Sequence, residues 1–275
     1  MKEDGQLAAV CIRVMLAFEP DEGAARIGQR LVEGHMRVVF SIPQHRKYLH
    51  AGTPSEPVLA EAAARIMNEP INGRSSRSLP LAMIRKYLDN GFVQRGERGE
   101  LAARLLLTLA HDTCVDRSAL HATPEEAHFS KPIHVLDFLA ALVGPSHMDL
   151  IRQSRPDNTT NGMTLEMAFK DARINFTHFV QGGDDSILSD EVAWLALARS
   201  MAFQCANGHH MVDLDLPVLL WDEPLGRFII SGILVQVRNR TTNGRAQIDA
   251  EKLEFFTPSA DDERANTRPY IAIVM

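Results

Sequence analysis

Apolar residues recur at helical spacing through the first half of the chain. The spacing predicts helices over residues 24–39, 56–67, 79–88, 100–111 and 133–143. Ser55 is a suitable N-cap for the second of these helices, and Gly144-Pro145 ends the last one. Leucines surround nearly the whole circumference of the helix over 100–111, which predicts that it is buried. We therefore expect a mostly helical region over residues 1–152.

The pattern changes after the polar segment 153–162, which is typical of a linker. Beyond it the sequence predicts a helix over 164–173, a strand over 174–180, a helix capped by Ser189 that runs to about 205, strands over 211–221, 228–238 and 270–275, and a short helix over 250–256. Strands mixed with helices predict an α/β fold with a mixed sheet. We expect a second domain over residues 163–275. The chain stops in an apolar strand, which we interpret as a candidate truncation point.

Composition narrows the class of protein. Hydrophobic residues make up 45% of the 275 residues and charged residues 23%, which is enough for a real core. A formal net charge of -6 excludes a generally basic DNA-coating protein, although a nucleic-acid enzyme needs only a local positive surface. The 3 cysteines are scattered, which argues against a disulfide framework or a zinc cage. No signal peptide or membrane span is recognisable, so we expect an intracellular protein, cytoplasmic or nuclear.

Candidate chemistry lies in the second half of the chain. Gln236 and Arg238 are two residues apart on a predicted strand, so both should project to the same face. Asp213 lies near the start of the preceding predicted strand, and hairpin pairing would bring it to the Gln-x-Arg pair. An aspartate and a neighbouring oxygen donor suit Mg²⁺, or Mn²⁺, and a cation beside them stabilises charge on a phosphate. The trio therefore predicts metal-dependent phosphodiester hydrolysis.

Several longer segments carry a family resemblance. They read EGHMRVVFSIP, SEPVLAEAAARIM, GERGELAARLLLTLAHD, FTHFV, ARSMAFQC, DLDLPVLL and ILVQVRNR. Over about residues 31–240 the chain resembles a large family of fungal proteins, many from mushroom-forming species, and is similar to the carboxyl-terminal region of Crinkler-type effectors. That resemblance implies a divergent PD-(D/E)XK, or restriction-endonuclease-like, nuclease domain with an α/β/α core.

The resemblance also implies roles for single residues. Asp213 matches the metal-binding aspartate, Gln236 the (D/E) position and Arg238 the lysine. Gln236 offers a neutral carbonyl where a carboxylate is usual, and Arg238 can clamp a phosphate but cannot act as a base. The helical glutamate that supports the metal is best matched by Glu191, and less closely by Glu100.

Three further residues are candidates for contact with nucleic acid. Arg240 and Arg245 follow the predicted strand of Gln236 and could hold a phosphate backbone, and His210 precedes Asp213 closely enough to share its site. In Crinkler-type effectors such domains lie beside phosphate-loop ATPase modules, but the pattern GxxxxGK[ST] does not occur in this chain.

Other interpretations stay open. The domain could be a nuclease-derived scaffold that has lost its chemistry and binds nucleic acid or a protein partner. The adjacent His111-Asp112 is reminiscent of helical metal phosphohydrolases, although a polar pair that caps the helix end is the favoured explanation. Asp213 and Asp215 could be ordinary carboxylates at a strand end. His178 alternates with apolar neighbours and is predicted to be a packed, hydrogen-bonded core histidine.

Overall fold

The computed structural model of the protein describes residues 3–19, 21–45, 49–69, 78–93, 98–118, 129–156, 162–206, 211–220, 229–238 and 268–275. Helices and a mixed sheet make up the fold, which confirms the α/β class. Two compact units are present. The first comprises Met1–Thr108 with Thr177–Val180, and the second comprises Leu109–Phe176 with Gln181–Met275.

The first unit is mostly helical. Its elements are α1 (Glu3–Val14), α2 (Glu22–Glu33), β1 (Val38–Ser41), β2 (His50–Gly52), α3 (Pro57–Asn68), α4 (Ser78–Asp89) and the beginning of α5 (Arg98–Ser118). Helix α1 buries Leu7, Val10 and Val14, and it packs mainly on α3. The buried side chain of Arg104 donates from Nε to the carbonyl of Val14, 2.8 Å away, which satisfies one carbonyl at the end of α1.

The helix predicted over residues 24–39 is half correct. Asp21 caps α2 by accepting a hydrogen bond from the N–H of Ala24 at 2.8 Å, and the helix ends at Glu33. Gly34 follows it as the C-cap residue. The β-branched pair after Arg37 then begins β1, which pairs antiparallel with β2, with Val38 opposite Gly52. The glycine at 34 and the β-branched valines at 38 and 39 therefore ended the helix and began a strand, although the apolar spacing had predicted that the helix would continue.

Ser55 is not the N-cap of α3. Glu56 occupies that position, with Pro57 as the first helical residue, and the Glu56 side chain makes no capping hydrogen bond. The hydroxyl of Ser55 instead contacts the ring of His178, which is 1% exposed. The prediction of His178 as a packed, hydrogen-bonded histidine is confirmed.

The second unit contains the main sheet. Its elements are the end of α5, then β3 (Ile133–His134), α6 (Val135–Val143), α7 (Pro145–Gln153), α8 (Leu165–Ala168), β4 (Arg173–Ile174), the last residue of β5 (His178–Gln181), a 3-10 turn at Asp185–Leu188, α9 (Asp190–Ala198), β6 (Met201–Gln204), β7 (Leu214–Leu219), β8 (Ile230–Gln236) and β9 (Ile271–Val274). Strand β9 runs parallel to β8, and the pairs β3–β4, β4–β7, β6–β7 and β7–β8 are antiparallel.

Strand β7 is the central partner of this sheet. Along one edge it pairs with β8, and along the other it pairs with β6 at Leu214 and Asp215 and with β4 at Val218 and Leu219. Pro217 lies between the β6 and β4 pairings. A proline has no N–H to donate to a ladder, so the gap between those two short strands is the place in β7 that tolerates it.

The helix predicted from Ser189 to about residue 205 is correct only in its first half. Ser189 caps α9 by accepting from the N–H of Val192. The helix stops at Ala198, Ser200 takes a positive φ of 53°, and Met201 begins the buried strand β6. Met201 therefore lies in β6 and Cys205 directly after it, and neither belongs to the helix.

Gly144 ends α6 as predicted, with a φ of 84° that glycine adopts without strain. The helix α7 that begins at Pro145 was not predicted. Proline stops a helix that precedes it, but its fixed φ also suits the first position of a new one. Within the parts of the chain that the structure describes, none of the helices has both the length and the apolar character that crossing a bilayer requires.

Candidate functional site at the β7–β8 pair

Asp213 lies immediately before β7 and is attached to the end of β8. Its backbone N–H donates to the carbonyl of Val235 at 2.9 Å, and its carbonyl accepts from the N–H of Cys205 at 2.8 Å. Its carboxylate oxygen Oδ2 accepts from the N–H of Val237 at 2.6 Å. Asp213 therefore bonds to the residues on either side of Gln236, and the structure brings together Asp213 and the Gln-x-Arg segment.

Gln236 is the last residue of the strand that Asp213 contacts, and Arg238 follows just beyond the end of that strand. Gln236 is the last residue of β8 and pairs with Val274 of β9, and the N–H of Arg238 donates to the carbonyl of Met275 at 2.9 Å. Both side chains are half-buried. The amide oxygen Oε1 of Gln236 is buried and has no hydrogen-bond partner among the described residues. A buried acceptor of this kind is costly unless something satisfies it.

Asp215 is an unexpected member of this group. It is 0% exposed, and neither carboxylate oxygen has a hydrogen-bond partner in the described part of the chain. In the ladder it stands opposite Leu234, so it projects to the face that also carries Gln236, two residues further along β8. We call Asp213, Asp215, Gln236 and Arg238 the β7–β8 site.

Asp215 is not an ordinary solvated carboxylate, because it is fully buried as the second residue of β7, among buried neighbours. Burial raises the pKa of its carboxyl group well above the usual range, since the charged form loses its hydration. Gly232 makes room for it: a Cβ at that position would stand 2.6 Å from Oδ1 of Asp215. Both faces of β7 are covered, because residues 214–218 are all buried.

The raised pKa of Asp215 predicts how stability depends on pH. The proton is held more tightly in the folded chain, so stability is fully present below the unfolded pKa of about 4 and falls as pH rises towards the folded pKa. Asp215→Asn should therefore be more stable than the wild type at pH 8, with the difference shrinking towards pH 4. Urea denaturation of both proteins across this range checks it. An equal pH dependence in the two proteins would contradict it.

Glu191 lies in the helix α9, outside the β7–β8 site. It is exposed in the first turn of α9, beside Asp190. Asp190 is held by Arg268, whose guanidinium also donates to the carbonyl of Ile230 at the beginning of β8. Gln236 is at the other end of that strand, about 20 Å away at the usual rise per residue. These contacts attach the start of α9 to the end of β8 that is far from Gln236. The metal-binding role of Glu191 therefore rests on the family resemblance alone.

The three candidates for nucleic-acid contact, Arg240, Arg245 and His210, lie outside the described residues, as does the predicted short helix over 250–256. Glu100, the more distant match to the supporting glutamate, is in the first turn of α5 and within 3.9 Å of the buried Arg104. Glu100 therefore lies in the first unit, next to a buried arginine.

His111 and Asp112 are both 0% exposed within α5. The ring of His111 packs against Phe176, with 4.9 Å between ring centroids, and its Nδ1 lies 3.8 Å from Oδ1 of Asp112. These contacts place the pair inside the second unit rather than at a polar helix end. Its role in a phosphohydrolase stays a prediction.

The donor atoms of the β7–β8 site suit a hard cation. Asp213, Asp215 and Gln236 supply carboxylate and amide oxygens, which are the ligands that Mg²⁺ and Mn²⁺ prefer. The two buried oxygen-bearing groups without hydrogen-bond partners, Asp215 and Gln236, would gain from a bound cation. Among the described residues, no group of three or more His, Cys, Asp or Glu side chains forms a metal cluster.

Residues 2–131 match the family model "Domain of unknown function (DUF8736)". The match covers most of the first unit and ends before β3, so it does not include the β7–β8 site. No curated protein and no solved structure matches the chain.

Proposed function

We propose that the second unit is a restriction-endonuclease-like domain, related to the carboxyl-terminal region of Crinkler-type effectors, whose β7–β8 site hydrolyses phosphodiester bonds with Mg²⁺ or Mn²⁺. The proposal rests above all on one observation. Asp213 is bonded to both neighbours of Gln236, so an acidic side chain and the Gln-x-Arg segment meet where two strands pair. Its substrate would be a nucleic acid in the cytoplasm or nucleus.

Each residue has a defined part in this proposal. The N–H of Val237 orients the Asp213 carboxylate, which has lone pairs enough for a cation as well. The Gln236 amide oxygen is a second donor, and Asp215 adds a buried carboxylate on the same face as Gln236. A divalent cation bound there would polarise the phosphate and lower the pKa of a bound water. Arg238 would hold the phosphate, because its guanidinium stays charged and offers paired donors.

Asp213→Asn is the variant that tests this function. The asparagine oxygen can still accept from the N–H of Val237, so the strand end keeps its contact while the site loses a negative charge. We expect cleavage of plasmid DNA or labelled RNA, with Mg²⁺ or Mn²⁺ present, to fall by at least about 100-fold, since a metal contributes several kcal/mol to such reactions. Asp171→Asn, at an exposed position, is the matched control and should cleave like the wild type. Equal activity of wild type and Asp213→Asn would refute the site.

A second candidate function is a nuclease-derived scaffold that binds nucleic acid or a protein without hydrolysis. One observation favours it: the Asp213 carboxylate already has a structural bond to the N–H of Val237. The resemblance adds a second argument, since it matches Arg238 to the position of the nuclease lysine. Binding of labelled nucleic acid by wild type, without cleavage and without any effect of added metal, would support the scaffold over the nuclease.

A further inference from the structure

A serine and a histidine meet in the first unit, among residues that the nuclease proposal does not use. The Ser55 hydroxyl lies 3.1 Å from Nε2 of His178, although 123 residues separate them in the chain. Ser55 is half-buried, whereas His178 is 1% exposed. The pair therefore has one member that solvent reaches and one that is held inside.

A third residue, Thr177, fixes the ring of His178. The Nδ1 atom of His178 lies 3.1 Å from the hydroxyl of Thr177. The arrangement accommodates the tautomer in which Nδ1–H donates to Thr177 and Nε2 accepts from the Ser55 hydroxyl. The backbone at Thr177 is fixed in turn, because Nε of the buried Arg13 donates to its carbonyl at 2.7 Å. A nucleophile, a base and a group that orients the base are the parts of a serine hydrolase site.

Ser55 lies just before a helix, whose first N–H groups could serve as donors to an oxyanion. It precedes Pro57, the first residue of α3, by two residues, and the Glu56 side chain does not cap the helix. The N–H groups of the first turn, at Val58 and Leu59, have no intrahelical partner, and the helix dipole is positive at this end. Such donors stabilise the oxyanion that forms when a hydroxyl attacks a carbonyl. Val58 is 80% exposed and Leu59 43% exposed, so these two residues provide apolar surface near Ser55 that a short acyl group could contact.

We propose that Ser55 and His178 form a second site, independent of the β7–β8 site, which hydrolyses small esters of short apolar acyl groups. The Ser55 oxygen attacks the ester carbonyl carbon while Nε2 of His178 takes the hydroxyl proton. The bond to the alcohol then breaks, and the alcohol leaves with that proton. A water molecule, activated by the same nitrogen, attacks the acyl-serine, releasing the carboxylic acid and restoring Ser55.

The test uses the full chain and two probes, p-nitrophenyl acetate and a fluorophosphonate that reacts with activated serines. We expect the fluorophosphonate to label Ser55, as located by peptide mass spectrometry, and Ser55→Ala to lower both labelling and p-nitrophenol release by at least about 100-fold. Ser146→Ala is the matched control: Ser146 lies 3.2 Å from the ring of His147, but both are exposed neighbours in sequence. It should react like the wild type.

Mapping the label on the wild type requires no variant, so a folding defect cannot obscure the result. No adduct at Ser55, under conditions that label a known serine esterase, would overturn the proposal. Retained ester hydrolysis in a folded Ser55→Ala, with an unchanged melting temperature, would overturn it as well. Because the probes contain no nucleic acid and need no metal, the outcome is separate from that of the nuclease proposal.

Discussion

Arg268→Ala is expected to lower the free energy of unfolding by about 3 kcal/mol. The guanidinium is almost fully buried, and its Nη1 donates to Oδ1 of Asp190 at 2.8 Å and to the carbonyl of Ile230 at 3.0 Å. Its Nη2 donates to Oδ2 of Asp190 at 3.3 Å. Truncation would leave a mostly buried carboxylate and a buried carbonyl without these donors. Urea denaturation followed by circular dichroism measures the loss.

An exposed ion pair provides the control for Arg268. Arg85 and Asp89 form an i,i+4 pair in α4, with side chains 84% and 70% exposed. Arg85→Ala should cost less than about 0.5 kcal/mol, because solvent screens such pairs. Equal losses in the two variants would mean that the Arg268 contacts add nothing beyond a surface interaction.

Gly232→Ala is expected to destabilise the protein by about 2 kcal/mol through overpacking. The new Cβ would stand 2.6 Å from Oδ1 of Asp215, closer than such atoms can approach. Both residues are inside a close-packed sheet, so relief requires a shift of the buried carboxylate or of the strand. Thermal and urea denaturation of the variant measure the effect.

A double-mutant cycle isolates that contact. In an Asp215→Ala background the clashing oxygen is absent, so Gly232→Ala should cost at least about 1 kcal/mol less than in the wild type. Gly183→Ala is the control, because a Cβ there meets nothing within 4 Å. If the free-energy costs of Asp215→Ala and Gly232→Ala simply add in the double mutant, the Asp215 carboxylate is not what makes Gly232→Ala destabilising.

The spacing of apolar residues correctly predicted those helices and strands that are determined by their own residues rather than by distant contacts. The apolar runs at 211–221 and 228–238 gave β7 and β8, and the helices near 57–68 and 78–89 matched their spacing. Strand β6 was missed because its residues continue the apolar periodicity of α9. The break between them is a positive φ at Ser200, a non-glycine residue for which sequence carries little signal.

The candidate site was predictable only in part. Asp213 and Gln236 were identified because they begin and end adjacent strands, and pairing of those strands places them together. The burial of Asp215 depends on tertiary packing against both faces of β7, including that of α9, which the local pattern of β7 itself does not show. The contact between Ser55 and His178 is hidden from sequence for the same reason.

The central position of β7 also orders the assembly of the sheet. Strands β4, β6 and β8 all hydrogen bond to it, so none of these ladders can form before β7 is extended. Along the chain, 9 residues separate β6 from β7 and 10 separate β7 from β8, whereas β4 lies far upstream, and closing a short loop costs less entropy. The pairs that β7 makes with β6 and with β8 are thus the least costly beginnings for folding. Substitutions in the β7–β8 pair, which carries the candidate site, would alter the rate at which the chain folds as well as the stability of the finished sheet.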